Sequence, residues 1–478
     1  MDPTLVYLME GGRKSTFREP MARFPRKDTD LRLIPLGFVV LIATGTLLLV
    51  LPWAHQPGAS LSFLDALFLS TSAACVTGLS TVNVAETFNL FGQVVLLMLI
   101  QLGGLGILTA GILLVLVNGS RLTFADEQSI QAAVGKQKRA RPFDVFIYAC
   151  LFVLIIEVTG ALALFLSLSK SHPGIPPGRH LWEAVFHAVS AFCNAGFSIY
   201  PEGLLRWNRA HDRLLITSLL VIAGGIGLMT LINLRYYYFW RRDPRKRGSL
   251  TLQSKVSLVS AAGLLVAGTV VCWLFEIGHT LKHASGIEQL SWSFFHSAMT
   301  RTAGFNTVDV GAMDGPTLLV TIGLMFIGGA PGSMAGGIKS VTFVVLILTA
   351  WSALRRRDEI QFWHRRLPSR VSFVATMVSL LSAVIIVAGF GLMLMAEQGQ
   401  PAAQTRHGWL AMVYEVVSAF GTVGLSTGVT PLLTPAGKGI IIALMLTGRI
   451  APLMLAMYLA RPPAPIRVRH PREELAVG

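Results

Sequence analysis

Four short segments of this chain end in nearly the same way, and each lies between two long apolar stretches. They read Ser-Ala-Ala-Cys-Val-Thr-Gly-Leu-Ser (72–80), Ser-Ala-Phe-Cys-Asn-Ala-Gly-Phe-Ser (190–198), Ala-Met-Thr-Arg-Thr-Ala-Gly-Phe-Asn (298–306) and Ser-Ala-Phe-Gly-Thr-Val-Gly-Leu-Ser (418–426). Their glycines, Gly78, Gly196, Gly304 and Gly424, are 118, 108 and 120 residues apart. An aromatic stands ten residues before each one: Phe68, Phe186, Phe294 and Tyr414. A fourfold repeat in a membrane chain is what a pseudo-fourfold pore requires. Glycine reaches backbone conformations that other residues resist, so carbonyl oxygens can turn toward an ion.

The surroundings of these segments are those of a membrane protein. Of 478 residues, 53% are hydrophobic and 14% charged, against roughly a quarter charged in soluble domains. The apolar stretches reach the roughly 20 residues needed to cross a bilayer. The first 31 residues are mixed and charged, with no apolar run ahead of a cleavage site, so no cleavable signal peptide is expected. The net charge of +15 is uneven. Arg121, Lys136, Lys138, Arg139 and Arg141 share one loop, Arg241 to Arg247 another, and Arg355 to Arg370 a third; both termini are basic too. The alternate loops carry Glu86, Glu202, Asp309, Asp314 and Glu397. By the positive-inside rule both termini are cytoplasmic. The basic loops fit topology and lipid headgroups better than nucleic acid, for which no binding is expected. Four scattered cysteines without a CxxC spacing argue against a metal site or disulfide framework.

Eight spans are predicted, at about 33–53, 90–118, 143–168, 213–240, 251–278, 316–353, 370–396 and 436–460. One repeat segment lies within each consecutive pair, opening with a short apolar helix such as 181–193. A dozen helical residues cover roughly 18 Å, only partway across the membrane. The fold class is thus an all-α polytopic membrane protein with eight transmembrane helices and four re-entrant pore helices. Repeat 1 covers 33–118, repeat 2 143–240, repeat 3 251–353 and repeat 4 370–460. A cytoplasmic segment, 1–32, precedes them and a cytoplasmic tail, 461–478, follows. Irregular backbone at membrane depth survives only where protein or water covers it, which four loops meeting on one axis achieve. The short helices would aim their partly negative C-termini at that axis and favour a cation.

Three features carry mechanism. The residues expected on the axis are Val76, Thr77, Gly78 and Leu79; Asn194, Ala195, Gly196 and Phe197; Thr302, Ala303, Gly304 and Phe305; and Thr422, Val423, Gly424 and Leu425. Carbonyls replace a cation's hydration shell, so side chains can differ while spacing is kept. The second feature lies inside the sixth span: Gly328, Gly329, Ala330, Pro331, Gly332, Ser333, Met334, Ala335, Gly336 and Gly337. This density of Gly and Pro cannot continue a helix. The break provides either a movable obstruction or a static kink. Lys339 follows it and either snorkels or pairs. Third is Arg449 in the last span. A charge there costs about 2.5–3.5 kcal/mol on insertion scales, so it should face water or a partner. It acts as a barrier to cations, as a structural donor to broken-helix carbonyls, or as both. His187 and His296 read as hydrogen-bonded structural groups. Arg301 directly precedes the third axial stretch, and Glu157 has no partner evident in sequence.

These residues resemble the Trk/Ktr/HKT superfamily of K+ transporters along nearly the whole chain. The resemblance rests on the four glycine segments, above all 302–309, on Ala-Gly-Gly-Ile-Lys at 335–339 and on Gly-Arg-x-x-Pro at 448–452. It implies four M1–P–M2 units, a filter at the four glycines, an intramembrane gating loop at Gly328 to Gly337 and a pore arginine at Arg449. Glycine at all four filter positions implies K+ as the transported ion, with no covalently bound cofactor; Na+ dependence stays open. The short polar leader is closer to the Ktr type. That likeness implies a homodimer in a bacterial cytoplasmic membrane and a cytosolic RCK-type nucleotide-binding regulatory subunit. A secondary transporter would instead need inverted repeats around a midplane pocket. An enzyme would need a clustered catalytic set, and the sequence contains none.

Overall fold

The computed structural model describes residues 33–117, 142–240, 250–357, 359–363 and 365–459. The leader 1–32, the tail 461–478 and nearly all of the basic connections 119–142 and 241–250 lie outside the described residues. Four quarters follow one another with the same element order. The first holds α1 (Leu33–Val50), α2 (Phe63–Ala74) and α3 (Leu90–Val117). The second holds α4 (Pro142–Ser171), α5 (Pro177–Phe192), α6 (His211–Ile226) and α7 (Leu228–Trp240). The third holds α8 (Leu252–Glu276), α9 (Gly286–Met299), α10 (Gly315–Phe326) and α11 (Ser340–Leu354). After a small hairpin, β1 (Ile360–Phe362) and β2 (Arg365–Leu367), come α12 (Ser369–Ala396), α13 (Trp409–Gly421) and α14 (Pro435–Leu459).

Among the described residues, four helical stretches are long and apolar enough to cross a membrane: Ile147–Ser171, Leu252–Glu276, Ser369–Ala396 and Pro435–Ala456. The α12 stretch has only 17% of its window buried, and Val387 is 69% exposed. A helix that is apolar all round yet faces outward needs hydrocarbon as its solvent. The span expected over 213–240 is not one continuous helix. The chain bends by 99° between α6 and α7, at Gly227, whose φ of +92° ends the helix. The sixth span is likewise interrupted, from Ile327 to Lys339, where its Gly/Pro composition forbids a helix.

The short helices begin at recognisable caps. The Ser62 hydroxyl accepts from the Asp65 N–H, and Ser285 with Glu288 forms a reciprocal capping box. Their C-termini are pinned by close backbone approach. Gly448 of α14 lies so near the Phe420 carbonyl of α13 that a Cβ would collide with it. The hydrophobic residue after each repeat glycine then wedges into the preceding quarter. Leu79 packs in a cluster with Met412 and Met445, Phe197 with Leu69 and Leu96, Phe305 with Tyr200 and Trp207, and Leu425 with Leu318 and Met325. In this way four of the core's five clusters among the described residues bridge neighbouring quarters, and the last closes on the first.

Overpacking the α13–α14 approach should cost stability, by about 1–3 kcal/mol for Gly448→Ala. Gly263→Ala meets open space in α8 and should be neutral or gain about 0.5–1 kcal/mol from helix propensity. Thermal unfolding of the detergent-solubilised chain distinguishes the two.

Candidate functional site

Three of the four short helices run into their loops by the same backbone bond. In the first quarter the Thr77 N–H donates to the Ser72 carbonyl at 2.7 Å, and the Gly78 N–H to the Ser72 hydroxyl at 3.0 Å. In the fourth, the Val423 N–H donates to the Ser418 carbonyl at 2.8 Å and the Gly424 N–H to its hydroxyl at 3.1 Å. In the second, the Ala195 N–H donates to the Ser190 carbonyl at 2.7 Å, while the Ser190 hydroxyl bonds the Phe197 carbonyl. The third quarter has Ala298 at this position. Its Ala303 N–H donates to the Met299 carbonyl instead.

The backbone repeats with the sequence. Two residues before each glycine, φ is positive at Val76 (55°), Asn194 (60°), Thr302 (72°) and Thr422 (48°), and it is positive again at the glycine itself. Three of these four leading residues are β-branched, for which a left-handed conformation is a genuine outlier. Such strain costs of order 1–3 kcal/mol per residue and persists where the surroundings over-determine it, which is where functional sites cluster. A positive φ at every second residue also rotates peptide planes that would otherwise alternate between faces as in a strand.

The glycines form a closed ring. A Cβ on Gly78 would press on the Ala195 carbonyl, one on Gly196 on that of Ala303, one on Gly304 on that of Val423, and one on Gly424 on that of Thr77. The same Cβ atoms would come within 3.1, 3.1, 2.9 and 3.0 Å of the next quarter's glycine Cα. All sixteen axial residues expected from sequence thus lie in four loops that meet one another. With its amide oriented so that the nitrogen donates, the Asn194 side chain meets the carbonyls of Ala191, Phe192 and Val221, each at 3.2 Å.

The Gly/Pro-rich segment lies against the start of this ring. Gly336 is packed on the Thr422 hydroxyl so closely that no side chain would fit. The segment doubles back on itself, with the Gly328 N–H donating to the Ile338 carbonyl at 2.8 Å. It is also woven into the α6–α7 break. The Ala330 and Met334 N–H groups donate to the Gly225 and Gly224 carbonyls at 2.8 and 3.1 Å, and the Leu228 N–H returns a bond to the Gly332 carbonyl at 3.1 Å. Both breaks therefore satisfy each other's backbone, as irregular structure in a membrane must.

Arg449 is 3% exposed. Its Nη1 donates to the Met334 carbonyl at 2.8 Å and lies 3.5 Å from Thr422 Oγ1. Among the described residues its Nε and Nη2 find no acceptor, and no carboxylate there neutralises the guanidinium. Lys339 donates back to the Ala335 carbonyl at 2.7 Å. Two cationic side chains thus hold carbonyls of the same segment. Arg301 points away, its Nη1 donating to the Ala261 carbonyl of α8 at 2.6 Å. His187 and His296 are hydrogen-bonded within the fold, to Ser198 and Thr321. Asp309 caps the Gly311 N–H. Glu157 does have partners: it accepts from Gln101 Nε2 at 3.2 Å, with Cys193 Sγ 3.8 Å away. Sequence reasoning missed this group and the Gly227 break. Asp65 pairs with Lys438 at 2.7 Å, which ties the first quarter to the fourth. Among the described residues no cluster of His, Cys, Asp and Glu could hold a metal ion.

Comparison with known proteins gives consistent matches. The family described as TrkH, cation transport protein, matches residues 7–464. The chain is 34% identical to the Ktr system potassium uptake protein B of Bacillus subtilis, over 94% of this chain and 97% of that one. It is 32% identical to the potassium/sodium uptake protein NtpJ of Enterococcus hirae, over 95% and 99%. In three dimensions it is similar to the potassium transporter TrkH of Vibrio parahaemolyticus, with a TM-score of 0.69 at 18% identity, covering 92% of this chain and 86% of that one.

Arg449→Met keeps length and removes the donors, leaving the Met334 carbonyl without its charged partner. Amide hydrogen exchange across 328–337 should then speed up by about tenfold, as expected for one lost charge-assisted bond. Hydrogen–deuterium exchange mass spectrometry reads this peptide directly.

Proposed function

The chain belongs to the TrkH cation transport family, as a multi-pass membrane protein rather than an enzyme, and from that premise we propose that it takes up K+ through a filter built on the glycine ring. The observation that carries the reading is the closed contact of Gly78, Gly196, Gly304 and Gly424, each against the carbonyl that precedes the next. The names of its relatives, which include potassium uptake proteins, support the same ion. In this reading α2, α5, α9 and α13 are re-entrant pore helices. The remaining helices make eight spans, with α6–α7 and α10–α11 each counted as one. The chain lies in a bacterial cytoplasmic membrane with both termini inside.

K+ sheds water at the ring, where carbonyls of residues 76–79, 194–197, 302–305 and 422–425 replace its hydration shell. The C-terminal ends of four pore helices add a negative potential on the axis. Below the ring, the 328–337 segment is the gate. Arg449 and Lys339 hold it through carbonyls, and the Arg449 charge opposes a cation beneath the filter until the segment moves. Opening exchanges the backbone bonds to Gly224, Gly225 and Leu228, so the bent α6–α7 pair moves with the gate. The functional unit is a homodimer with a pore in each protomer. A cytosolic RCK-type subunit transmits nucleotide binding to the gate through the basic cytoplasmic face.

A second reading, mixed Na+ and K+ uptake, draws on the name of the Enterococcus hirae relative. Rb+ uptake into liposomes holding the purified chain decides between them. For the K+ reading, K+ competes, Na+ does not, and Gly78→Ser weakens that preference. Equal competition by Na+ establishes the mixed reading. Deleting 328–337 should raise the flux if that segment is the gate, and unchanged flux in a folded deletion protein removes the gate assignment.

A further inference from the structure

The strands that leave the glycine ring are held in two different ways. Nine residues before the four glycines stand Leu69, His187, Phe295 and Glu415, all fully or almost fully buried behind the ring. Two residues after the glycines stand Ser80, Ser198, Asn306 and Ser426. In the fourth quarter Glu415 Oε1 accepts from the Ser426 hydroxyl at 2.5 Å and from the Thr427 N–H at 3.0 Å, and its Oε2 from the Thr430 hydroxyl at 2.7 Å. In the second, His187 Nδ1 lies 2.7 Å from the Glu183 carbonyl. A carbonyl only accepts, so Nδ1 carries the proton and Nε2 accepts from the Ser198 hydroxyl at 3.0 Å. The imidazole is held flat against Tyr200, with ring centroids 4.7 Å apart. Leu69 and Phe295 have no polar atom to offer, and Ser80 bonds the Val82 carbonyl of its own strand.

The order of the ring gives this alternation a geometry. Gly196 adjoins Gly78 and Gly304, while Gly424 adjoins Gly304 and Gly78. The second and fourth quarters therefore face each other across the axis. We infer that His187 and Glu415 are positioning residues for ion selection, a diagonal pair of polar struts that tie two opposite exit strands to their own short helices, where the other two quarters carry Leu69 and Phe295. The inference builds on the filter reading above. A carbonyl cage rejects an ion of the wrong size only if its strands resist moving. Buried hydrogen bonds, above all those to a carboxylate, resist movement more than dispersion contacts do. Selectivity then rests on two of the four quarters more than on the other two.

The test is titration calorimetry of KCl and NaCl into the detergent-purified full chain. It reads the ratio of K+ to Na+ affinity, which a loss of folded protein does not move. Glu415→Leu and His187→Phe place in the second and fourth quarters the residue types of the first and third. Each should lower the ratio by about three- to tenfold, the range for one or two lost hydrogen bonds. Ser198→Ala removes the far end of the His187 strut, and Ser426→Ala with Thr430→Val removes the two closest hydroxyls from which Glu415 accepts; neither touches the short helices, and they decide the matter if a strut variant does not fold. Glu415→Leu combined with Ser426→Ala and Thr430→Val should be no worse than Glu415→Leu alone, because these hydroxyls act on the strand through the carboxylate. An unchanged ratio in Ser198→Ala and in Ser426→Ala with Thr430→Val, or simple additivity in the combined variant, overturns the struts. Gly78→Ser runs alongside. If it leaves the ratio unchanged, the filter reading itself fails; if it shifts the ratio and the strut variants do not, only this inference falls.

Discussion

The contact of each repeat glycine with the next quarter's carbonyl is the constraint on which the molecule turns. Four backbones can approach this closely only where no side chain intervenes and where φ is positive at alternate residues. Everything around the ring serves to hold that unfavourable conformation. Serines near the ends of the short helices take up the freed N–H groups in three quarters. The hydrophobic residue after each glycine anchors its loop in the neighbouring quarter's core, so the four clusters close as a ring outside the ring. The strain is local, and the restraint on it is distributed.

The fourfold pattern is broken where regulation is proposed. Two of the helices that follow the ring are interrupted, α6–α7 at Gly227 and α10–α11 across 327–339, and these belong to adjacent quarters. Their loose ends exchange backbone hydrogen bonds, so each break completes the other. Arg449, from a third quarter, supplies the charge-assisted bond that fixes the segment beneath Thr422. As the proposed gate, the segment would have two discrete states. Its alternative state must re-partner the same carbonyls and N–H groups with water or with other backbone, which sets a barrier between closed and open arrangements.

Much of this was legible along the chain because it has local causes. Helices that are apolar on every face, a Gly/Pro density that forbids helix at 328–337, and glycines repeating about every hundred residues with an aromatic ten positions earlier are all written in neighbouring residues. The break within the span expected over 213–240 was not legible, for a physical reason. Gly227 differs little in sequence from Gly106, which lies inside α3, and only the donors of Ala330, Met334 and the acceptor at Gly332 make a bend there tolerable. Glu157 was equally opaque, since its partners Gln101 and Cys193 come from two other elements.

The sequence by itself determined the medium in which this protein folds, the number of its repeats and the places where backbone must leave the helix, because period, composition and glycine content act over a few residues. The order of the ring, the diagonal placing of His187 and Glu415, the weaving of two broken helices and the choice of the Met334 carbonyl for Arg449, 115 residues away, were decided only by tertiary structure. Each depends on a group meeting one particular partner from a distant segment, and an unpaired donor or acceptor carries no mark in the sequence of where its partner will come from.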